Sequence, residues 1–518
     1  MCGFMKLKAK LLDIQAGGKR IALLDEETAG VLGVHSSDRV RIIYGDAQVV
    51  AIANVANNFP TDQIGLYAES SKCLAIREGE YVEVQYAHTP ESLGYVQAKI
   101  RGESLHENHI KAIVGDVVEG HLSDAEIAAF VTALQVRGLS MAEAEALSNA
   151  MVDTGRTLNL RKKPILDKHS IGGIPGDKTT ILVVPIVASA GFIIPKTSSR
   201  AVTSPAGTAD RVESLCPVNL TINEIQEVVN KTNGCMVWGG ALELAPADDI
   251  FIRVEYSLGI DPLLLPSIIS KKKAIGATHV VIDMPTGRGA KIKTIGEAHA
   301  LGNNFIVLGK RLGMNIRCAV TFGEQPLGHA IGPGLEAKEA LETIMGKGPM
   351  DLKEKAVEIA GILLEMVGLT NGKGKAEGVL KTGKAEQKLR EIIEAQGGKP
   401  NIRPEDIKIG EKTAEIRAEK DGRVLWVNNQ GIAQTAREAG APKEKGAGVI
   451  LKAKLGDSVK KGDVLVEICA ERNTKLEAAE KLAETLQLIG IGKRLGEPML
   501  IDQIPAETAH PRSFTIER

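Results

Sequence analysis

The amino-acid sequence predicts an α/β protein built from several domains, and three observations carry that prediction. Between about residues 160 and 350, apolar runs of strand character ("PILDKHS", "FIIPKTSS", "HVVIDMP", "NIRCAVTF") alternate with helical stretches, the order that builds a sheet flanked by helices. Two other textures precede it: short alternating segments up to about residue 86, then helical spacing from about 88 to 155. A length of 518 residues also exceeds what one hydrophobic core serves, so about two to four domains are expected.

The first domain (1–87) is expected to be β-rich, because "KLKAKLLDI", "DRVRIIY" and "EYVEVQY" alternate apolar and polar positions with Gly, Asp and Asn between them. The second (88–160, completed by a segment near 240–280) is expected to be helical. Two of its helix starts carry capping boxes, Ser123 with Glu126 and Ser140 with Glu143. Ile127, Phe130, Val131 and Leu134 recur on one face, and Gly138 and Gly155 sit where helices should end. The third domain (161–400) holds the α/β alternation. A looser zone of Gly and Lys ("LTNGKGKAEG", 369–378; "GGKPNIRPED", 397–406) then leads into a C-terminal α+β domain (401–518). Its "DGRVLWV" and "GDSVKKGDVLVEICA" resemble the two halves of a lipoyl or biotinyl carrier fold, but about thirty residues separate them where a carrier needs a tight hairpin presenting a lysine. The tail therefore reads as an appended structural domain.

Composition removes several classes of function. Lys plus Arg number 64 against 65 Asp plus Glu, which leaves no basic footprint for nucleic acid or an anionic membrane surface. Any anion must be caught locally. The longest apolar run, "ILVVPIVASAGFII" (181–194), is too short for a bilayer and carries Pro185, so it reads as a buried strand or helix. "MCGFMKLKAK" lacks the apolar core and small-residue cleavage site of an export signal, and a cytoplasmic location is expected. The cysteines (Cys2, Cys73, Cys216, Cys235, Cys318, Cys469) are scattered, with no C-x-x-C pair and no histidines at zinc-ligand spacing. They read as reduced thiols, and no metal site is expected.

Against this background two loops stand out. "DKHSIGGIPGDKTT" (167–180) follows a strand and precedes an apolar element, so it lies at the carboxyl end of a strand, where open α/β sheets bind ligands. Gly172, Gly173 and Gly176 let the backbone approach an anion, and Lys168, Ser170, Thr179 and Thr180 add charge and donors. The pattern is neither the P-loop nor the dinucleotide fingerprint. "PKTSSRAVTSPAGTADRVE" (195–213) repeats the arrangement with Thr197, Ser198, Ser199, Arg200, Thr203, Ser204 and Thr208. Two such loops in succession point to one convergent oxyanion site.

Together with "LAPADD" (244–249), "SIISKK" (267–272) and "QPLGHAIGPGLEAKEAL" (325–341), the loops resemble the signature of the thymidine phosphorylase family of nucleoside phosphorylases, whose loops read KHSTGG followed by GD, and SGR followed by GGT-D-x-x-E. The likeness covers about residues 88–500. The N-terminal β domain, with "HSIGG", "TSSRAVTS" and "IDP", points to the type 2 branch, which holds archaeal AMP phosphorylases and enzymes described as type 2 thymidine phosphorylases.

The resemblance implies a fold of the nucleoside phosphorylase/phosphoribosyltransferase type, with a helical domain, a larger α/β domain and the site in the cleft between them. It implies a reaction in which phosphate attacks the anomeric carbon, the base departs and a sugar 1-phosphate forms. A nucleoside or nucleotide and inorganic phosphate are then the substrates, no cofactor is needed, and a homodimer or larger homo-oligomer is expected. Lys168, Ser170, Thr180, Ser198 and Thr208 fall on the family's phosphate positions, Thr180 in place of a serine. Asp261 in "GIDP" matches the proton-donating aspartate of the AMP branch, although alone an Asp before Pro reads as a turn. His169 falls on the base-side histidine of pyrimidine phosphorylases, and an acid and a loop-orienting role both stay open for it. Gly173, Ser199, Arg200, Ala201, Val202, Thr203, Ser204, Thr208, Ser267, Lys271 and Lys291 fall around the nucleotide.

Substrate is where the residues divide. An ungapped count puts Glu255 where pyrimidine phosphorylases carry an arginine for the base carbonyl, and a carboxylate cannot donate there. Lys291 offers a cation for a 5′-phosphate, whereas Lys168 is the residue of the thymidine enzymes. Phosphorolysis of AMP leads, and phosphorolysis of thymidine is the alternative. An anthranilate-type phosphoribosyltransferase would need magnesium, for which no paired acidic motif is assigned. A non-catalytic phosphate- or nucleotide-binding scaffold is the reading from another class.

Overall fold

The computed structural model describes residues 4–160, 162–201 and 204–492. Two compact units are present, one formed by 1–156 with 245–271 and the other by 157–244 with 272–518. Among the described residues, no helix is long and apolar enough to cross a membrane.

The first unit opens with a closed barrel of six strands in the order Met5–Leu11, Gln63–Leu66, Ile21–Asp25, Ala47–Ala56, Arg39–Tyr44, Tyr81–Tyr86. Alternation explains it. Val40 and Ile42 are buried while Arg41 between them is exposed, and Val82 and Val84 are buried on either side of exposed Glu83. Helices Glu91–Arg101, Glu107–Val118, Asp124–Arg137 and Met141–Asp153 follow, and Pro246–Leu258 returns to join them. Both capping boxes form, and Ile127, Phe130, Val131 and Leu134 are buried in the core of this bundle. Phe130 meets Phe251 of the returning helix with ring centroids 6.0 Å apart.

The second unit holds an α/β sheet. Strands Asn315–Phe322, His279–Thr286 and Leu166–Ser170 pair in parallel, as do Ile194–Ser198 and Gly234–Trp238, and a parallel bridge from Ile165 to Ile193 joins the two groups. The apolar run from residue 181 lies in the helix Thr179–Ser189, of which every residue from Thr179 to Ala188 is buried. A helix covered on all sides has no polar face to show, which is why periodicity could not tell it from a strand.

One expectation is corrected. The Gly- and Lys-rich stretch 369–378 is not loose: helix Gly372–Lys381 starts within it, capped by Asn371, whose side chain accepts from Gly374 at 3.2 Å. Gly372 serves contact, since a Cβ there would run into the carbonyl oxygen of Gly361 in the helix Met350–Met366. The C-terminal portion pairs Ala330–Ile331, Gly448–Leu451, Val464–Ala470 and Lys412–Arg417 in one antiparallel sheet and Ser458–Val459, Gly422–Val427 and Ile489–Gly492 in another, with helices Asn429–Glu438 and Asn473–Leu486 against them.

Candidate active site

Because the strands of the second unit's sheet are parallel, the segments that follow them (171–178, 199–207 and 287–292) leave from one end of the sheet. Lys168, His169 and Ser170 are the last residues of Leu166–Ser170. Lys168 is 2% exposed, and its Nζ donates to Thr179 Oγ1 at 2.7 Å, with Asp177 Oδ2 at 3.9 Å. The Thr179 hydroxyl donates in turn to Asp177. Burial pushes the Lys168 pKa down, and Asp177 and Asp283 oppose that pressure.

Behind Asp177 stands Lys355, its Nζ 3.9 Å from Asp177 Oδ2 and 2.8 Å from Asp283 Oδ2. Thr321 donates to the other Asp283 oxygen at 2.6 Å. Charges therefore alternate through Lys168, Asp177, Lys355 and Asp283. Burial works against the Asp177 carboxylate, but Lys168 and Lys355 outweigh it and hold its pKa well below the usual range. Burial likewise works against the Lys355 charge, and Asp177 and Asp283 overcome it. Of this row, sequence reasoning named only Lys168. The signals for the others were thin: Asp177 is the D of "GD", and Lys355 interrupts the apolar face made by Leu352, Ala356 and Ile359. Thr180, expected to meet phosphate, is 2% exposed in the first turn of its helix, beside the Thr179 that Lys168 engages.

The second loop is folded back on itself by Asp210, whose Oδ2 accepts from Ala201 at 2.7 Å and from Gly207 at 2.9 Å. Only glycine fits at 207, because a Cβ would stand 2.5 Å from the Ala201 nitrogen and 2.7 Å from the Ser199 oxygen. Arg211 pairs with buried Glu336, donates to the Ala206 carbonyl at 2.8 Å and reaches Thr208 Oγ1 at 3.3 Å. Ser198 donates to the Val237 carbonyl at 3.2 Å, and Ser204 to that of Ala206 at 3.2 Å. Arg200 lies over the Trp238 ring, 4.9 Å from its centroid, and pairs with Glu213 at 2.5 Å and Asp210 at 3.2 Å. Its guanidinium is thus committed to holding this loop. Val202 and Thr203 lie outside the described residues.

The third segment meets the first. A Cβ on Gly173 would stand 2.8 Å from the Lys291 Cβ and press on its backbone, so these two predicted nucleotide residues are brought together by close approach. Lys291 is exposed.

Asp261, Ser267 and Lys271 belong to the other unit. Asp261 is exposed in the turn between Pro246–Leu258 and Leu264–Ala274. Buried Glu255 secures this turn, its Oε1 accepting from Leu263 at 2.9 Å. Ser267 and Lys271 are four apart on the following helix and share a face. Lys271 pairs with buried Asp248, which keeps it charged against the pull of burial.

An ammonium held in low dielectric beside hydroxyls, with glycine backbone at the end of a parallel sheet, is chemically suited to an oxyanion. The known proteins agree in kind. Residues 162–386 match the family model described as the glycosyl transferase family a/b domain, 94–155 its helical bundle domain, and 424–489 the pyrimidine nucleoside phosphorylase C-terminal domain. An AMP phosphorylase of Thermofilum pendens is 50% identical over 99% of this chain and 100% of its own. One of Pyrococcus furiosus is 50% identical over 94% of this chain and 98% of its own, and one of Methanocaldococcus jannaschii 46% over 96% and 99%. A solved anthranilate phosphoribosyltransferase of Thermus thermophilus superposes with a TM-score of 0.50 at 20% identity, covering 58% of this chain and 99% of that one, a likeness of fold alone. The chain belongs to the pyrimidine nucleoside phosphorylase family, on the branch that holds the AMP phosphorylases.

Proposed function

We propose that this pentosyltransferase cleaves AMP with inorganic phosphate. A phosphate oxygen attacks the anomeric carbon, the bond from that carbon to the base nitrogen breaks, the base takes up a proton and leaves as adenine, and ribose 1,5-bisphosphate remains. The observation that carries this reading is 50% identity over 99% of the chain to an AMP phosphorylase. The same likeness speaks against thymidine, and so does Glu255. Its carboxylate accepts from the Leu263 backbone, and such a group cannot grip a base carbonyl as an arginine does.

In this reading Lys168, Ser170, Thr180, Ser198 and Thr208 anchor the attacking phosphate, whose charge stabilises the oxocarbenium-like transition state. Asp261 protonates the leaving base, and His169 is the second candidate acid. Lys291 meets the 5′-phosphate, while Gly173, the run from Ser199 to Ser204, Ser267 and Lys271 surround the nucleotide. The Arg200 guanidinium, already engaged by Glu213, serves that run from behind. Phosphate is a co-substrate and no cofactor takes part. A homodimer or larger assembly acting in the cytoplasm belongs to the same reading, and sedimentation measures the assembly.

Base release from AMP, CMP, UMP, adenosine, thymidine and uridine, each with and without phosphate, tests it. Phosphate-dependent release from AMP and none from thymidine is expected. Release from thymidine alone would overturn the substrate, and a phosphate-dependent rise in melting temperature without turnover of any substrate would favour a binding scaffold.

A further inference from the structure

Asn429 links the C-terminal portion of the chain to the segment that carries Lys291. Asn429, the first residue of helix Asn429–Glu438, is 2% exposed, and its Nδ2 donates to the Gly323 carbonyl at 2.8 Å. Gly323 follows the strand Asn315–Phe322, and its own nitrogen donates to the Thr286 carbonyl at 2.9 Å, where the Lys291 turn begins. The same asparagine lies against the turn itself, since a Cβ on Gly289 would stand 3.3 Å from both its Cβ and its Nδ2.

The turn "TGRGAKI" is closed by bonds from Gly287 to Ile292 (3.0 Å) and from Ala290 to Gly287 (3.1 Å). Two glycines leave so short a segment many conformations, and its outside contacts decide where Lys291 is presented. Those contacts include Gly173 against Lys291, Gly323 against Thr286, Glu324 against Gly287 and Arg288, and Asn429 against Gly289. Asn429 Oδ1 is buried and has no hydrogen-bond partner among the described residues. A buried amide with one half unsatisfied is costly, so stability gives little reason for an asparagine here and the placement of its other half gives a better one.

We propose that Asn429 is a positioning residue for Lys291, through which the C-terminal portion of the chain sets affinity for the 5′-phosphate of the nucleotide. This rests on the reading of Lys291 given above. The neighbouring Asn428 provides the control: it caps the same helix, accepting from Gly431 at 2.9 Å and donating to Leu486 at 3.2 Å, and its partners lie wholly within the C-terminal portion.

The experiment compares full-length Asn429→Ala, Asn429→Asp, Asn428→Ala, Lys291→Met and the double variant Lys291→Met/Asn429→Ala, reading KM for AMP, KM for phosphate, kcat and melting temperature. Both Asn429 variants should raise the AMP KM roughly 3- to 30-fold, with kcat and the phosphate KM within about twofold. The aspartate keeps the volume and loses the donor, so its effect separates the hydrogen bond from packing. Asn428→Ala should lower the melting temperature and leave the AMP KM alone. In the double variant Asn429→Ala should add little to Lys291→Met, because one residue acts through the other. An unchanged AMP KM in Asn429→Ala, a rise of equal size in Asn428→Ala, or full additivity in the double variant would overturn the proposal. An unchanged AMP KM in Lys291→Met refutes the assignment of Lys291 itself, and a rise in Asn429→Ala beside it would rule out the route through that lysine.

Discussion

Lys168 and Asp177 face each other at 3.9 Å across the first donor loop, and the Thr179 hydroxyl joins them by donating to the carboxylate while accepting from the ammonium. In the proposed reading the form of Lys168 that holds phosphate is the charged one, and burial already lowers its pKa. Phosphate KM should therefore rise as pH climbs through that pKa. Asp177 and Asp283 favour the charge, while Lys355 and Arg211 oppose it. Asp177→Asn removes the strongest support, so the rise should begin at lower pH. Lys355→Met removes a like charge, so it should begin at higher pH. Phosphate KM measured from pH 6 to 10 in each variant checks both signs, and coincident limbs would detach the row of charges from phosphate binding. Lys168→Ala should raise phosphate KM at every pH, by roughly 10-fold or more, as loss of a charge-assisted contact does.

Turnover should depend on the acid. Asp261→Asn is expected to lower kcat by about 10²- to 10⁴-fold while AMP KM moves only a few-fold, because a proton donor acts on the transition state more than on the bound substrate. Full activity in this variant would pass the role to His169. Dialysis against a chelator should leave wild-type activity intact, since the reading gives no step to a metal ion.

How legible this site was depends on what each residue's signal required. The two loops could be read because glycines and hydroxyls crowd the ends of recognisable strands, and the helix starts could be read because Ser-x-x-Glu is a local rule that both capping boxes obey. Asp283 and Lys355 could not. One sits in the middle of a strand and the other on the apolar face of a helix, 72 positions apart, and only the tertiary fold brings them to 2.8 Å. Gly372 misled for the opposite reason: glycine marks both flexibility and close contact, and composition does not say which. Glu255 was noticed for what it lacks, a donor for the base. Its actual bond to Leu263 appears only when the turn is folded.

The second loop has a steric test. At Gly207 a Cβ would stand 2.5 Å from the Ala201 nitrogen and 2.6 Å from the Arg200 carbonyl carbon, so alanine must push the loop open and loosen the two bonds to Asp210. Displacing anchoring groups by about 1 Å can cost on the order of 100-fold in rate. Gly207→Ala should therefore raise phosphate KM and lower kcat together, by about 10- to 100-fold overall. Normal kinetics would show that the 199–207 fold does not govern the reaction.

Acid stability supplies the last prediction. Arg200, first, and Lys445 draw the Glu213 pKa from the usual 4.5 down to about 2, despite some burial. A carboxyl whose folded pKa lies below its unfolded one stabilises the protein above the unfolded value, and that contribution fades as pH falls through the folded one. Glu213→Gln should consequently melt at a lower temperature than wild type at pH 7, and the gap should shrink between about pH 4.5 and 2. High salt should narrow it as well, because the pair is partly exposed and screened. A gap of constant size from pH 7 to 3 would assign the effect to packing around Trp238 instead. The same substitution probes function: with a neutral residue at 213, Arg200 keeps its ion pair with Asp210 at 3.2 Å, a bond to Asn219 Oδ1 at 3.5 Å and the Trp238 ring. If the pair matters for the run from Ser199 to Ser204, the AMP KM should rise at pH 7, where the gap in melting temperature is widest.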